Sequence, residues 1–337
     1  MALRAASFGK KVLVLTVDPA QRLMTSLGLQ PGSDQITKVE TPSLKGEVYA
    51  GIVQSKKIFD DFISKYSGNK SVVDRIFKNR LYQQLSTTLS GSQEFTALEK
   101  LLQEYESKNF DLIILDTPPT KHALDFFVAP RRIINLFQDS ITKWFAAPEL
   151  EPTGFISNLI YKGTKTVFKS LEILTGAEFI EELVDFFVAI RSVQKILRER
   201  SEKVEKLLAN KTTSFVLITS FDSAKLEEAN VLQKRFSKMK YQLDAVIINR
   251  AYPLWASNVI ANPSLQNQEV YQKVLRYYNE FRSYYANRYK LYDDFAAGFE
   301  RNVKIFRIPD YGQDICGIDD LLELSDRLAS AQSERMK

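Results

Sequence analysis

Two apolar, β-branched runs that each end on an acid constrain this chain most. Lys11 to Val17 (KVLVLTV) runs into Asp18-Pro19, and Asp111 to Leu115 (DLIIL) runs into Asp116-Thr117-Pro118-Pro119-Thr120. A run that is apolar throughout, instead of alternating, belongs to a strand buried on both faces, as in parallel sheet. Further strands read at Glu47 to Gln54, Ser214 to Ser220, Leu243 to Asn249 and Val303 to Ile308. Helical stretches separate them: Ala20 to Leu27 (closed by Gly28), Ser55 to Tyr66, Ser71 to Tyr105 with an interruption near Gly91, Ala224 to Lys238 and Gln268 to Phe299. Gln30 to Gly46 reads as loop. Strands alternating with helices predict an α/β fold, a parallel sheet with helices on both faces.

Leu124 to about Asn210 is helical, broken at Pro130, Pro148, Pro152, Gly163 and Gly176. Residues 124–211 therefore read as a helical insertion in an α/β core made of 1–123 and 212–337. The start of the chain is unusual. Ala2 to Phe8 has a helix stop signal in Gly9 but no start signal, and it feeds directly into the strand at Lys11. Such a helix is the second half of a strand–helix–strand crossover. The expectation is a chain that begins in mid-motif, lacking the first strand of its sheet.

Composition removes several classes of chemistry. The 337 residues hold one Cys, Cys316, and one His, His122. That excludes an internal disulfide framework, a CxxC zinc site and a multi-histidine metal cluster. A reducing compartment, the cytoplasm, is expected. The net charge of +5 is spread along the chain and does not argue for nucleic acid. No apolar run reaches 18 residues, so no transmembrane segment is expected. Only 13 Gly are present, against roughly 24 at ordinary usage, which matters because phosphate-cradling loops are glycine-rich.

Ligands of open parallel sheets bind beyond the carboxyl ends of the strands, where Asp18 and Asp116 sit. An acid after an apolar strand can help hold Mg²⁺ beside nucleotide phosphates, or can simply cap the next helix. Thr117 and Thr120 add hydroxyls in the same turn. The strings VLVLTVDPAQRL (Val12 to Leu23), RLYQQLSTTLSGSQEFTALEKLL (Arg80 to Leu102), FDLIILDTPPTKHALDFFVAPRR (Phe110 to Arg132) and VIINRAYP (Val246 to Pro253) decide between these readings. They closely resemble the bacterial ArsA-like ATPases, the anion-transporting, arsenical-pump-driving family related to the tail-anchored-protein targeting ATPases. The resemblance resumes at VKIFRIPDYGQDICGIDDL (Val303 to Leu321).

That resemblance implies a P-loop NTPase-type sheet, lacking its first strand here, plus a helical insertion. It implies ATP and Mg²⁺ as ligands and ATP hydrolysis as the reaction. Asp18 would orient and activate the water that attacks the γ-phosphate. Asp116 would hold Mg²⁺ through water. Thr117, Pro118 and Thr120 would form a second switch that senses the γ-phosphate and relays its loss to the insertion. Asn249 would read adenine, and Pro309 with its neighbours would cover the base. A homodimer is implied for the complete form, and 124–211 would contact an apolar protein client or a membrane pump.

The family's glycine-rich phosphate loop should stand just before Ala2. Gly9-Lys10 does not replace it, because Lys11 is not Ser or Thr and a strand follows where a helix should. The chain as written is expected to be impaired in ATP binding and hydrolysis. With one Cys and four Met, arsenite thiolation, a zinc-clamped dimer and a methionine-rich groove are all disfavoured. The competing class is a non-catalytic protein whose insertion holds an apolar client.

Other features take plainer readings. His122 reads as structural, Lys121 equally as solvated or phosphate-contacting, and Cys316 as a small apolar core residue. Phe155 to Ile160 and Leu183 to Ile190, with adjacent Phe186 and Phe187, read as internal helix packing ahead of a client groove. Tyr271 to Phe295 holds seven tyrosines among Arg and Lys. Basic-aromatic interleaving can bind single-stranded nucleic acid. But Tyr278, Phe281, Tyr285, Tyr289, Tyr292 and Phe295 recur at spacings of three and four, one helical stripe, so packing against the sheet is expected.

Overall fold

A computed structural model describes residues 1–17, 22–29, 35–41, 43–88, 92–117, 120–136, 176–251, 269–299, 302–309 and 317–330. The chain divides into two compact units. One holds Ala2 and Arg4–Leu207; the other holds Met1, Leu3 and Leu208–Lys337.

In the first unit, α1 (Ala2–Ser7) leads into β1 (Lys11–Thr16) through Gly9, whose φ of 83° makes it a left-handed C-terminal cap. β1 pairs in parallel with β3 (Glu47–Ile52) on one side and β4 (Leu112–Asp116) on the other. Val12, Leu13, Val14 and Leu15 are buried, as an all-apolar run requires. A short strand absent from the expectation, β2 (Thr37–Val39), pairs antiparallel with β3 inside the stretch read as loop. Three residues are too few to show a period. α2 (Arg22–Ser26) closes at Gly28, φ 70°, as its sequence predicts.

The expected single parallel sheet is found as two among the described residues: β2-β3-β1-β4, and β5-β6-β7 in the second unit. β4 also departs from its reading as a buried strand. It stands at one end of its sheet, and Leu112 is 39% exposed. An apolar run reports what a strand is built to bury, not how many neighbours it has.

The helices of the first unit pack around one aromatic cluster. α3 (Ser55–Tyr66), α4 (Lys70–Lys78), α5 (Arg80–Thr88) and α6 (Ser92–Ser107) contribute Phe62, Ile63, Ile76, Tyr82 and Phe95. Burying each such ring contributes about 1.5–3 kcal/mol. The Ser71 to Tyr105 run breaks at Asn79, and the interruption expected near Gly91 lies outside the described residues. Asn79 Oδ1 accepts the Tyr82 N–H at 3.0 Å, an N-cap that starts α5, and its Nδ2 donates to the Glu182 carbonyl at 2.9 Å. α7 (Thr120–Leu136) carries Pro130 inside it, where the sequence predicted a break. Packing explains the tolerance: Phe126, Phe127 and Ala129 are buried and α7 lies against α6, which offsets the missing N–H.

The 32-residue α8 (Ala177–Leu208) is about 48 Å long at 1.5 Å per residue. Its first half lays Phe186, Phe187, Ile190, Val193 and Leu197 into the aromatic cluster. Its second half is tied to α6 by charge. Arg200 Nε donates to Glu99 Oε2 at 2.6 Å, Arg200 Nη1 to Glu106 Oε2 at 3.0 Å, and Lys203 Nζ to Glu106 Oε1 at 3.0 Å. Glu99 is fully buried and the Arg200 side chain is 7% exposed.

In the second unit, β5 (Phe215–Ser220), β6 (Leu243–Ala251) and β7 (Lys304–Pro309) form a parallel sheet. α9 (Ser223–Met239) crosses from β5 to β6. Its N-cap Asp222 accepts the N–H groups of Ala224 and Lys225 at 3.0 and 3.3 Å. α10 (Glu269–Ala297) precedes β7, and α11 (Ile318–Ser330) follows it.

The stripe on α10 differs from the expectation. Its C-terminal end is buried through Tyr292 and Phe295, and Tyr292 stacks with Phe221 and carries the Arg307 guanidinium 4.5 Å from its ring centre. Nearer its N-terminal end Tyr278 is half-buried and Phe281 is 40% exposed, so the stripe is not buried along its length. The side chains of Tyr285 and Tyr289 lie outside the described residues.

Candidate functional site at the carboxyl ends of the strands

The first unit brings the ends of β1 and β4 together. Thr16 is in register with Asp116, the Thr16 hydroxyl donates to Asp116 Oδ2 at 3.2 Å, and the Val17 N–H donates to the Asp116 carbonyl at 3.3 Å. Thr16 is fully buried while Asp116, which accepts its hydroxyl, is exposed at the strand end. β3 ends alongside, with Val53 N–H donating to the Thr16 carbonyl at 2.9 Å. Thr96 Oγ1 lies 3.0 Å from both Ser55 Oγ and the Gln93 carbonyl, a hydroxyl pair of a buried Thr96 and a half-buried Ser55 joining α6 to the start of α3.

Sequence reasoning found Asp116 and Thr117 but missed Thr16. The signal was present, since Thr16 is a polar residue in an otherwise apolar run, and a fully buried hydroxyl needs a partner. Asp18 and Pro118 lie outside the described residues, as does the side chain of Thr120, although its backbone opens α7. The side chains of Lys121 and His122, and all of Cys316 and Phe155 to Ile160, lie outside them too. Phe186 and Phe187 are buried, in keeping with internal packing.

The second unit gathers its own pair of sequence-selected residues. Asn249 and Pro309 sit at the carboxyl ends of the neighbouring strands β6 and β7, where Ala251 is in register with Pro309. Asn249 is exposed, and its Oδ1 accepts the Arg250 N–H at 3.0 Å. Arg250 has φ 52° and lies where the register with β7 shifts between Ile248 and Ala251, a bulge inside β6.

The donor set at Asp116 fits Mg²⁺ in a phosphate site. Mg²⁺ there takes one or two carboxylates and completes its shell with water and phosphate oxygens. An exposed carboxylate at a strand end is a ligand of that kind. Among the described residues no group of three His, Cys, Asp or Glu forms a metal cage. Gly9 caps a helix before a strand, so Gly9-Lys10 is not a phosphate loop.

Parallel strands flanked by helices, with an acid at the carboxyl end of β4, define a P-loop-NTPase-like α/β fold. The model of the anion-transporting ATPase family matches residues 1–330, so the chain belongs to that family, which is one of ATPases and uses nucleotide. It is 22% identical over 333 residues to a protein of Aquifex aeolicus named arsenical pump-driving ATPase 1, covering 96% of this chain and 72% of that protein. It is 26% identical over 271 residues to ATPase GET3B of Arabidopsis thaliana, covering 75% of this chain and 60% of that protein. It is 20% identical over 250 residues to ATPase ASNA1 homolog 2 of Paramecium tetraurelia, covering 74% and 70%. No described helix is long and apolar enough to cross a membrane.

Proposed function

We propose that this chain is a nucleotide-driven switch, in which Mg-ATP hydrolysis at the carboxyl ends of the strands changes the arrangement of the helical segment 124–211. The observation that supports it is the hydrogen-bonded register of Thr16 with Asp116. Thr16 precedes Asp18 by two residues in the sequence, which supports reading both acids at one end of the sheet, as such chemistry needs.

The roles divide as follows. Asp18 orients the attacking water and takes its proton. Asp116 would hold Mg²⁺ through water, and the metal would supply neutralisation of charge on the phosphate oxygens. Thr117, Pro118 and Thr120 lie between β4 and α7, so a change at the γ-phosphate reaches the helix that opens 124–211. Asn249 reads the adenine edge, and the turn after Pro309 covers the base. Phosphoryl transfer needs little more from a protein than positioning, a metal and a directed water.

Titration with a fluorescent ATP analogue, with and without Mg²⁺, tests the binding half. Asp116→Asn is expected to remove the Mg²⁺ dependence. Turnover tests the catalytic half: Asp18→Asn abolishes hydrolysis and leaves Mg-ATP binding within about threefold. Measurable turnover in the unmodified chain that persists undiminished in the variant overturns the role of Asp18.

A further inference from the structure

Among its described residues, the buried seam of α8 has one charge in it. Phe186, Ile190, Val193, Leu197, Arg200 and Val204 recur at spacings of four, three, four, three and four, and all six are buried. That is the interval at which a helix lays a single seam against its neighbours. The first four lie in the aromatic cluster together with Phe95 of α6. One turn further along both helices, past Leu197 and Phe95, Arg200 and Glu99 meet at 2.6 Å with both side chains out of solvent.

An apolar seam at this spacing looks much the same after a shift of one turn, about 5.4 Å. Hydrophobic contact is non-directional, so it chooses the faces that meet better than it chooses their axial position. A buried ion pair is directional. A one-turn slip of α8 brings Leu197 or Val204 to Glu99 and carries the guanidinium away, which leaves a carboxylate buried and unpaired.

We propose that Glu99 and Arg200 set the register of α8 on α6, a latch that admits one axial position of the long helix. Stability is not what the pair supplies. Arg200 Nη2 and Ser201 Oγ are buried and meet no hydrogen-bond partner among the described residues. Replacing a buried ion pair by apolar side chains is often neutral or stabilising, whereas a polar residue in an apolar seam is a known means of fixing register. The other charged contact between these helices is at the rim, where Arg200 Nη1 and Lys203 Nζ reach Glu106, itself 40% exposed. Exposed pairs contribute little, and long side chains can follow a slip by changing rotamer. With the latch closed, the second half of α8 travels with α6 and does not slide along it. This rests on packing alone and stands apart from the nucleotide reading.

Distances between two spin labels test it, in the 337-residue chain carrying C316S with labels at Q93C on α6 and E202C on α8, both exposed positions. The labelled chain without further change should give a single distance, as should K203A, which breaks only a rim contact. E99L/R200L should melt above the chain carrying R200M alone, because no charge is left buried without a partner. It should also show a second or displaced distance, about 5 Å from the first, in at least about a tenth of the molecules. The latch is overturned by one unchanged distance in E99L/R200L, since the register then holds without the pair. Two distances in the labelled parent or in K203A overturn it as well. So does an E99L/R200L chain that melts no higher than R200M or loses its cooperative melt, because the pair would then be needed for folding itself.

Discussion

Arg200→Met should be the most damaging conservative change in the first unit. Methionine keeps the apolar stem and the helix propensity, so the variant removes the guanidinium alone. Glu99 is then left fully buried without its 2.6 Å partner, though Gln103 Nε2 still donates to it at 3.0 Å. Breaking a buried ion pair by removing one member costs about 3–5 kcal/mol, because the remaining charge stays desolvated. At about 2–4 °C per kcal/mol for a unit of this size, the melting temperature falls by roughly 10 °C. The pH dependence carries a sign. Burial pushes the Glu99 carboxyl above its ordinary value, and the Arg200 hydrogen bond and charge oppose that push. A carboxyl raised in the folded state favours folding fully below its unfolded pKa, and this is lost as pH rises through the folded value. Without Arg200 the folded value rises further, so the deficit of Arg200→Met should shrink as pH falls from 7 towards 5. Glu99→Gln in the same chain should recover at least half of the loss at pH 7. Thermal melts at both pH values read this out. An Arg200→Met chain melting within about 2 °C of the unmodified one at pH 7 would refute the reasoning.

Two further perturbations follow from single contacts. Asp222→Ala removes the cap that accepts two N–H groups at the start of α9 and should cost about 1 kcal/mol in urea denaturation, with Asp222→Asn close to neutral. Tyr82→Phe removes the phenol that donates to Asp60 Oδ1 at 2.6 Å and should cost about 1.5–3 kcal/mol. Burial, aided by the Asp60 hydrogen bond and charge, raises the Tyr82 phenol well above the usual tyrosine range. Its contribution is therefore present below about pH 10 and lost as pH rises beyond it, so Tyr82→Phe should lose less stability than the unmodified chain between pH 9 and 11.

Much of the candidate site could be read in the chain because its signals are local. Asp116 follows its strand directly, and Asn249 and Pro309 each stand where an apolar run gives out. Thr16 could be noticed but not assigned, because its partner is 100 residues away. The hydroxyl pair of Ser55 and Thr96 left no signal, since Ser and Thr at helix starts are ordinary caps. Pro130 gave a misleading one: a proline signals a break, and only the burial of Phe126, Phe127 and Ala129 shows why the helix continues.

The tyrosine-rich helix marks the boundary most clearly. Its length and its three-and-four periodicity follow from the residues alone, because a helix's faces are set by 3.6 residues per turn. Which face is covered does not follow. Tyr292 finds Phe221 and Arg307 outside its helix and Phe295 is buried, while Val270, Val274 and Tyr277 meet solvent. The same holds for Glu99 and Arg200, two ordinary charges on two ordinary helices, 101 residues apart. Sequence by itself determined the order of strands and helices and the acids at the strand ends, because backbone period and strand termination are local. Tertiary structure alone decided which strands share a sheet, which charges are buried and which apolar faces remain open, because burial is set by neighbours distant along the chain.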